Sequence, residues 1–274
     1  MRKRLTQSTY NADEENPYWV SFSDLMAALL VIFILASIIL IIELTQKTHD
    51  FDANKIKADA AELALQLALQ TARIELEDKK QKVEEGIDAL KNAERARQEI
   101  LYETKEELKK HNIIIEVADN DTVLRIPEKV LTFASGDDKI PADEETQNAV
   151  KTIGRSLHQA ILKNNRFIYL DTVFIEGHTD SQPIYYQGKG NWGLSTNRAI
   201  SIWSAWQNDL NLEPKFVEMR NTFGQTLFSV SGYAATRRVQ LDETTPEQRE
   251  RNRRIDIRFT VKNPSISNLE EIAK

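Results

Sequence analysis

The chain has 274 residues, 41% of them hydrophobic and 28% charged, with a formal net charge of -6. That acidic balance argues against a nucleic-acid binder that works by neutralising phosphates. The absence of cysteine excludes thiolate metal sites, thiol catalysis and disulfides within the chain. Nine glycines and seven prolines exclude a collagen-like or low-complexity polymer.

Apolar residues concentrate between Leu25 and Ile42, a run broken only by Ser37. Some 18 residues at 1.5 Å each cover roughly 27 Å, enough to cross the hydrocarbon core of a bilayer. Tyr18 and Trp19 stand where an aromatic belt is expected at the membrane interface, and Glu43 closes the run. A cleavable signal peptide is not expected, because the apolar stretch is too long and no small-x-small site follows. Arg2, Lys3 and Arg4 precede the span and only Lys47 follows closely, so the positive-inside rule predicts a cytoplasmic N-terminus and an exported C-terminal part.

Asp24 lies five residues past Trp19, roughly 7.5 Å deeper along a helix. An ionised carboxylate at such a depth costs about 2.5–3.5 kcal/mol on insertion scales, less if it is protonated or faces a hydrated protein interface. On the residues alone two readings stand: a helix-start cap beside Ser21 and Ser23, or a carboxyl that takes up and releases an ion. The segment Pro17-Tyr18-Trp19-Val20-Ser21-Phe22-Ser23-Asp24-Leu25-Met26 resembles the transmembrane signature of the MotB-type stator subunits. It is most similar to the ZorB proteins of the Zorya anti-phage systems; flagellar members carry one more residue between the Trp and the Asp. The resemblance implies that Asp24 is the proton carrier, in a dimer of transmembrane helices enclosed by five MotA-like partner subunits.

From Thr48 to Lys110 there is no proline and a single glycine, Gly86, and strong helix formers dominate. Leu69, Leu76, Val83 and Leu90 recur every seven residues, the spacing of a parallel two-stranded coiled coil. The register then fails at Arg97, so a charged, solvated helix that self-associates only in part is an equal alternative. Either form makes a semi-rigid spacer.

Beyond residue 112 the pattern turns to short strands and helices. Ile113–Val117 and Thr122–Ile126 read as strands around the turn Asp119-Asn120-Asp121, and Thr172–Glu176 as a central strand ending at Gly177. A helix opens at Pro141 and reaches Lys163, with acidic residues in its first turn to suit the helix dipole. A second helix runs from Ser195 to Leu210, with Ile200, Trp203 and Trp206 on an apolar stripe that reads as core. Phe228–Ser231 and Arg254–Val261 supply the last strands.

Three motifs stand out. Gly177-His178-Thr179-Asp180 ends the central strand, and Asn191-Trp192-Gly193-Leu194-Ser195-Thr196-Asn197-Arg198-Ala199 opens the next helix. Arg249 and then Asn252-Arg253-Arg254-Ile255-Asp256-Ile257 lead into the final strand. With Gly232-Tyr233-Ala234, these resemble the OmpA-like peptidoglycan-binding domain over residues 112–262. A wall peptide carrying diaminopimelate presents an ammonium and a carboxylate on one carbon. Asp180 at a strand end can accept from the ammonium, and Arg198, one turn into its helix, can grip the carboxylate with a two-pronged guanidinium. The resemblance implies these roles, places Asn191 and Leu194 beside the ligand, and puts Arg253 near the same pocket. A mutual Asp180–Arg198 salt bridge is a compatible alternative. His178 reads as a structural turn residue, since no nucleophile or second metal ligand stands at a useful spacing. Arg249–Arg254, interleaved with Glu250, reads as a solvated rim rather than a nucleic-acid patch. Ser181–Gly190, the long Leu212–Ser231 connection and Thr236-Arg237-Arg238 depart from typical members.

The predicted architecture is a membrane-anchored α+β chain. It comprises a cytoplasmic tail (1–16), a single transmembrane helix (17–44), a helical stalk able to form a coiled coil (45–111), an OmpA-like α/β sandwich (112–262) and a C-terminal tail (263–274). The predicted role is a peptidoglycan-anchored stator subunit of a proton-driven inner-membrane rotary complex. The expected partners are a second copy, a MotA-like pentamer, peptidoglycan and membrane lipid. Neither enzymatic activity, nor a metal, nor a cofactor is expected; the translocated ion is a proton in preference to sodium. The alternatives are a flagellar stator or a passive tether between membrane and wall.

Overall fold

A computed structural model describes residues 17–262, with side chains described from Trp19 onward. The expected tails at 1–16 and 263–274, the side chain of Tyr18 and the basic residues Arg2, Lys3 and Arg4 lie outside the described residues. The chain divides into two units, with the division between Glu77 and Asp78. Helix α1 (Pro17–Lys110) contributes to both.

In the first unit α1 carries a window of 18 residues with mean hydropathy 3.3, long and apolar enough to cross a membrane. Its side chains are exposed: Ile32, Phe33, Ile39 and Ile41 all face outward. No helix break separates the apolar stretch from the polar one. The residues between contain neither proline nor glycine, and the Thr45 hydroxyl donates to the Ile41 carbonyl within the helix at 2.7 Å.

In the second unit the last turns of α1 belong to the globular core. Ile100, Leu101 and Leu108 are fully buried there, and Ala93 and Ala96 nearly so. The stalk was predicted to extend to residue 111; instead the packed domain takes in the end of the helix. Small and apolar residues at 93, 96, 100, 101, 104 and 108 form one helical face, which the charge density of the flanking positions hides from a reading of composition. The helix ends on Asn112 in the left-handed conformation (φ 61°), with the Ile113 amide donating back to the Leu108 carbonyl at 3.0 Å.

Strands β1 (Glu116–Ala118), β2 (Val123–Pro127), β3 (Leu170–His178), β4 (Phe228–Gly232) and β5 (Arg254–Val261) form one sheet in the order β1-β2-β5-β3-β4. All pairs are antiparallel except β3 with β4. Helix α3 (Gly190–Asp209) is the crossover that this parallel pair requires. Helix α2 (Glu144–Leu162) starts three residues later than Pro141, because Asp143 accepts from the Thr146 amide at 2.8 Å and caps it. Helix α4 (Pro246–Asn252) was not foreseen, although Thr245 and Gln248 form a capping box legible as Thr-Pro-Glu-Gln.

Alternation along the strands sorts two faces. Val173 and Ile175 of β3, Ile255, Ile257 and Phe259 of β5, and Leu124 and Ile126 of β2 enter the hydrophobic core. Trp206 and Phe216 fill the same core; of the stripe expected there, Trp206 is buried, Trp203 is half-buried against it and Ile200 is exposed. The Trp206 indole N–H donates to the Val150 carbonyl at 2.9 Å. On the opposite face Glu176 and His178 of β3 meet Arg254, Asp256 and Arg258 of β5 and Arg125 of β2.

Candidate functional site

The C-terminal end of β3 delivers Thr179 and Asp180, and its position is fixed from β4. The Thr179 amide donates to the Ala234 carbonyl at 3.0 Å, and the Tyr233 amide donates to the Gly177 carbonyl at 2.9 Å. Gly177 lets α3 approach this strand: a Cβ there would stand 1.9 Å from the Ser195 carbonyl oxygen. The α3 residues Asn191, Leu194 and Arg198, spaced three and four apart, therefore line up on one side of the helix toward Asp180.

These residues, with Glu128, Phe133, Ser135, Gly136, Gln182, Pro183, Ile184 and Arg253, line a cavity of about 430 Å³. Asp180, Asn191, Leu194, Arg198 and Arg253 thus all line the same cavity. Helix α3 begins at Gly190, so Arg198 sits about two turns in rather than one. Asn191 has a structural part: its amide donates to the Gln182 carbonyl at 2.9 Å and to the Asp180 carbonyl at 3.3 Å, bracing the segment after β3. Leu194, 3% exposed, is an apolar wall.

The expected alternative pairing of Asp180 with Arg198 is replaced by another. Asp180 Oδ2 accepts from Arg253 Nη1 at 2.7 Å, and its Oδ1 accepts from the Gln182 amide at 3.1 Å. Arg253 in turn clasps Glu128 with Nε at 2.7 Å and Nη2 at 2.5 Å. The Glu128 carboxylate, with Asp180 behind it, raises the pKa of the Arg253 guanidinium above its ordinary value. Arg198 donates through Nε to the Asp137 carbonyl and through Nη2 to the Ala134 carbonyl, both at 3.0 Å, while its guanidinium lies 4.9 Å from the Phe133 ring centre. Its Nη1 makes no hydrogen bond to any described residue and so keeps donors for a ligand. Burial lowers the pKa of Arg198, and Arg253 lowers it further. Two guanidinium groups and two carboxylates share the site, which is therefore charge-balanced and suits a ligand end that is itself zwitterionic.

Glu128 carries no signal in the sequence: it is a single acid in a turn, brought to the site only by the course of β2. Phe133, Ser135 and Gly136 also line the cavity and belong to none of the motifs singled out in the sequence. The Ser181–Gly190 departure is anchored rather than loose, because Tyr186 is buried and its hydroxyl accepts from the Asn197 amide at 2.5 Å.

Behind the cavity, Glu176, His178 and Asp256 bring their ligating atoms within 4.8 Å of one another. His178 was expected to lack such companions; strand pairing supplies them. Glu176 receives Arg258, and Asp256 receives Arg125 and Arg254, so the two carboxylates are already charge-paired with arginines. His178 is 1% exposed and stacks on Tyr233 with ring centres 5.4 Å apart; burial pushes its pKa down, favouring the neutral ring. The Arg249–Arg254 run is only partly the solvated rim expected of it. Arg254 is buried against Asp256, and Asn252 is fully buried, holding the amides of Val239 and Gln240 and bonding the Glu243 carboxylate.

Residues 132–253 match the OmpA family model. The described motifs of this OmpA-like domain all fall in or beside that span. An uncharacterized protein of Bacillus subtilis (strain 168), YtxE, is 25% identical over 261 residues, covering 93% of each chain. Among solved structures, a MotB-like protein from Desulfovibrio vulgaris is similar at 18% identity and a TM-score of 0.46, over 63% of this chain and 98% of that one. The cell wall anchor of the type VI secretion system from Pseudomonas aeruginosa is similar at 23% identity and a TM-score of 0.42, over 59% and 97%. The periplasmic domain of Helicobacter pylori MotB is similar at 20% identity and a TM-score of 0.41, over 58% and 88%.

In the first unit Asp24 and Trp19 lie on exposed helix surface, and Trp19 meets Phe22 edge-on at 6.5 Å.

Proposed function

We propose that this chain is a peptidoglycan-anchored stator subunit of an ion-driven motor in the bacterial inner membrane. In this reading the N-terminus is cytoplasmic and the OmpA-like domain periplasmic. The observation that carries it is the coexistence in one chain of two features. One is a lone carboxylate, Asp24, at the entrance of an apolar helix; the other is a charge-balanced pocket that holds both Asp180 and Arg198 in an OmpA-like domain. In sequence, Tyr18 and Trp19 mark the membrane interface just before that carboxylate.

An ion-binding carboxylate can drive work only if part of the complex is held still, and a wall-gripping domain provides that anchor. Each proton crossing contributes about 2.3 kcal/mol per 100 mV. Neutralising Asp24 weakens its contacts with a surrounding MotA-like pentamer and permits a rotational step; release toward the cytoplasm resets it. The exposed Leu69 and Leu76, in heptad spacing, support a homodimer joined along the stalk. The resemblance of residues 17–26 to ZorB proteins supports anti-phage defence as the work this motor serves.

Asp24→Asn tests the ion-carrying role in cells that carry the complete defence system. Phage resistance should be lost while crosslinked dimer and sacculus pull-down persist. Full resistance with Asp24→Asn would leave only a passive tether, and rescue of swimming in a stator-deficient strain would reassign the motor to the flagellum. Loss of sacculus binding with Arg198→Ala tests the anchor separately.

A further inference from the structure

We propose that Glu128 is a specificity-determining residue of the wall site, acting by holding Arg253 off one side of Asp180. This rests on the reading of Asp180 and Arg198 as the seat of a zwitterionic peptide end.

A guanidinium beside a carboxylate ordinarily closes a two-pronged pair that engages both oxygens. Here the Nε/Nη2 edge of Arg253 is already committed to Glu128, at 2.7 and 2.5 Å, leaving one bond to Asp180 Oδ2. Among the described residues, Asp180 Oδ1 accepts only from the Gln182 amide. A carboxylate offers about four lone-pair positions, so roughly half of those on Asp180 stay open toward the cavity. Glu128 is itself fixed in place, since its backbone carbonyl accepts from Thr132 Oγ1 at 2.9 Å and its side chain is 15% exposed. Glu128 also sets the charge of the pocket. With it the two arginines are matched by two acids; without it the site is net positive and disfavours an ammonium. The ligand class that follows is a stem peptide whose third residue carries both an amine and a carboxylate at its end, and the amine is the group that Glu128 makes legible.

The test uses the full chain in detergent and two probes, L-alanyl-γ-D-glutamyl-meso-diaminopimelate and the same peptide acetylated on its free diaminopimelate amine. Wild type should bind the free-amine peptide about tenfold or more tighter. Glu128→Gln should weaken the free-amine peptide and bring the ratio to within about threefold of unity. Glu128→Asp, which keeps the charge, should retain most of the discrimination. In an Arg253→Met background, where Asp180 has no arginine to be kept from, Glu128→Gln should change the ratio less than it does in wild type. An unchanged ratio in Glu128→Gln overturns the proposal, as does equal weakening of both probes, which marks a merely structural residue. If Glu128→Gln does not fold, the ratio in Glu128→Asp decides: discrimination lost despite the retained charge overturns the proposal. Wild type that binds neither peptide nor sacculi removes the wall reading itself; wild type that binds both peptides equally removes only the role of the amine.

Discussion

Arg198→Lys keeps the positive charge of the pocket and removes its planar fork. Arg198 serves three surroundings at once: the carbonyls of Asp137 and Ala134, each at 3.0 Å, the face of Phe133 at 4.9 Å, and the open cavity through Nη1. A single ammonium cannot reach two carbonyls and a ligand carboxylate together. If it keeps the loop, the ligand loses a charge-assisted bond; if it turns to the ligand, one or both carbonyls are left unpaired. Bonds to charged groups are worth about 1.5–3 kcal/mol each, and the stacking contact about 0.5–1 kcal/mol. The expected loss of wall affinity is therefore about 1.4–2.8 kcal/mol, a factor of about 10 to 100. Co-sedimentation of the purified protein over a titration of sacculi measures the affinity, and a thermal melt reports the loop. Affinity within threefold of wild type, with an unaltered melt, would refute the reasoning, because point charge alone would then suffice.

Three further outcomes follow from the packing. The Arg166 guanidinium, seated between α1 and the segment after α2, holds Glu103 down to about 2 from an ordinary 4.5, with Lys163 assisting. A carboxylate depressed in the folded state stabilises above its unfolded pKa and loses that contribution as protons are taken up. The thermal midpoint should thus fall between pH 4.5 and about 2, and Glu103→Gln should flatten that part of the profile; an equal acid slope in the variant would sink the assignment. Gly177→Ala places a methyl 1.9 Å from the Ser195 carbonyl oxygen in a strand paired on both edges. The strain should cost about 3 kcal/mol or more, lowering the midpoint by about 6–12 °C or abolishing folding. Gly86→Ala, with nothing within 4 Å of the added carbon on a helix, should be neutral or slightly stabilising in the same melt.

Composition and periodicity alone located the apolar helix and its single acid, Asp24. The resemblance of short motifs to the OmpA-like domain singled out Asp180, Asn191, Leu194, Arg198 and Arg253, because strand ends and helix starts carry their signals within a few residues. Tertiary structure decided which charges meet. Arg253 rather than Arg198 pairs with Asp180, Glu128 joins the site across 125 residues of sequence, and Glu176, His178 and Asp256 become neighbours. Such pairings depend on strand register, and a shift of one residue would turn every side chain to the other face, so local sequence cannot specify them. The burial of Ile100, Leu101 and Leu108 has the same origin: their helix reads as a solvated spacer until the sheet and α2 supply a surface to cover.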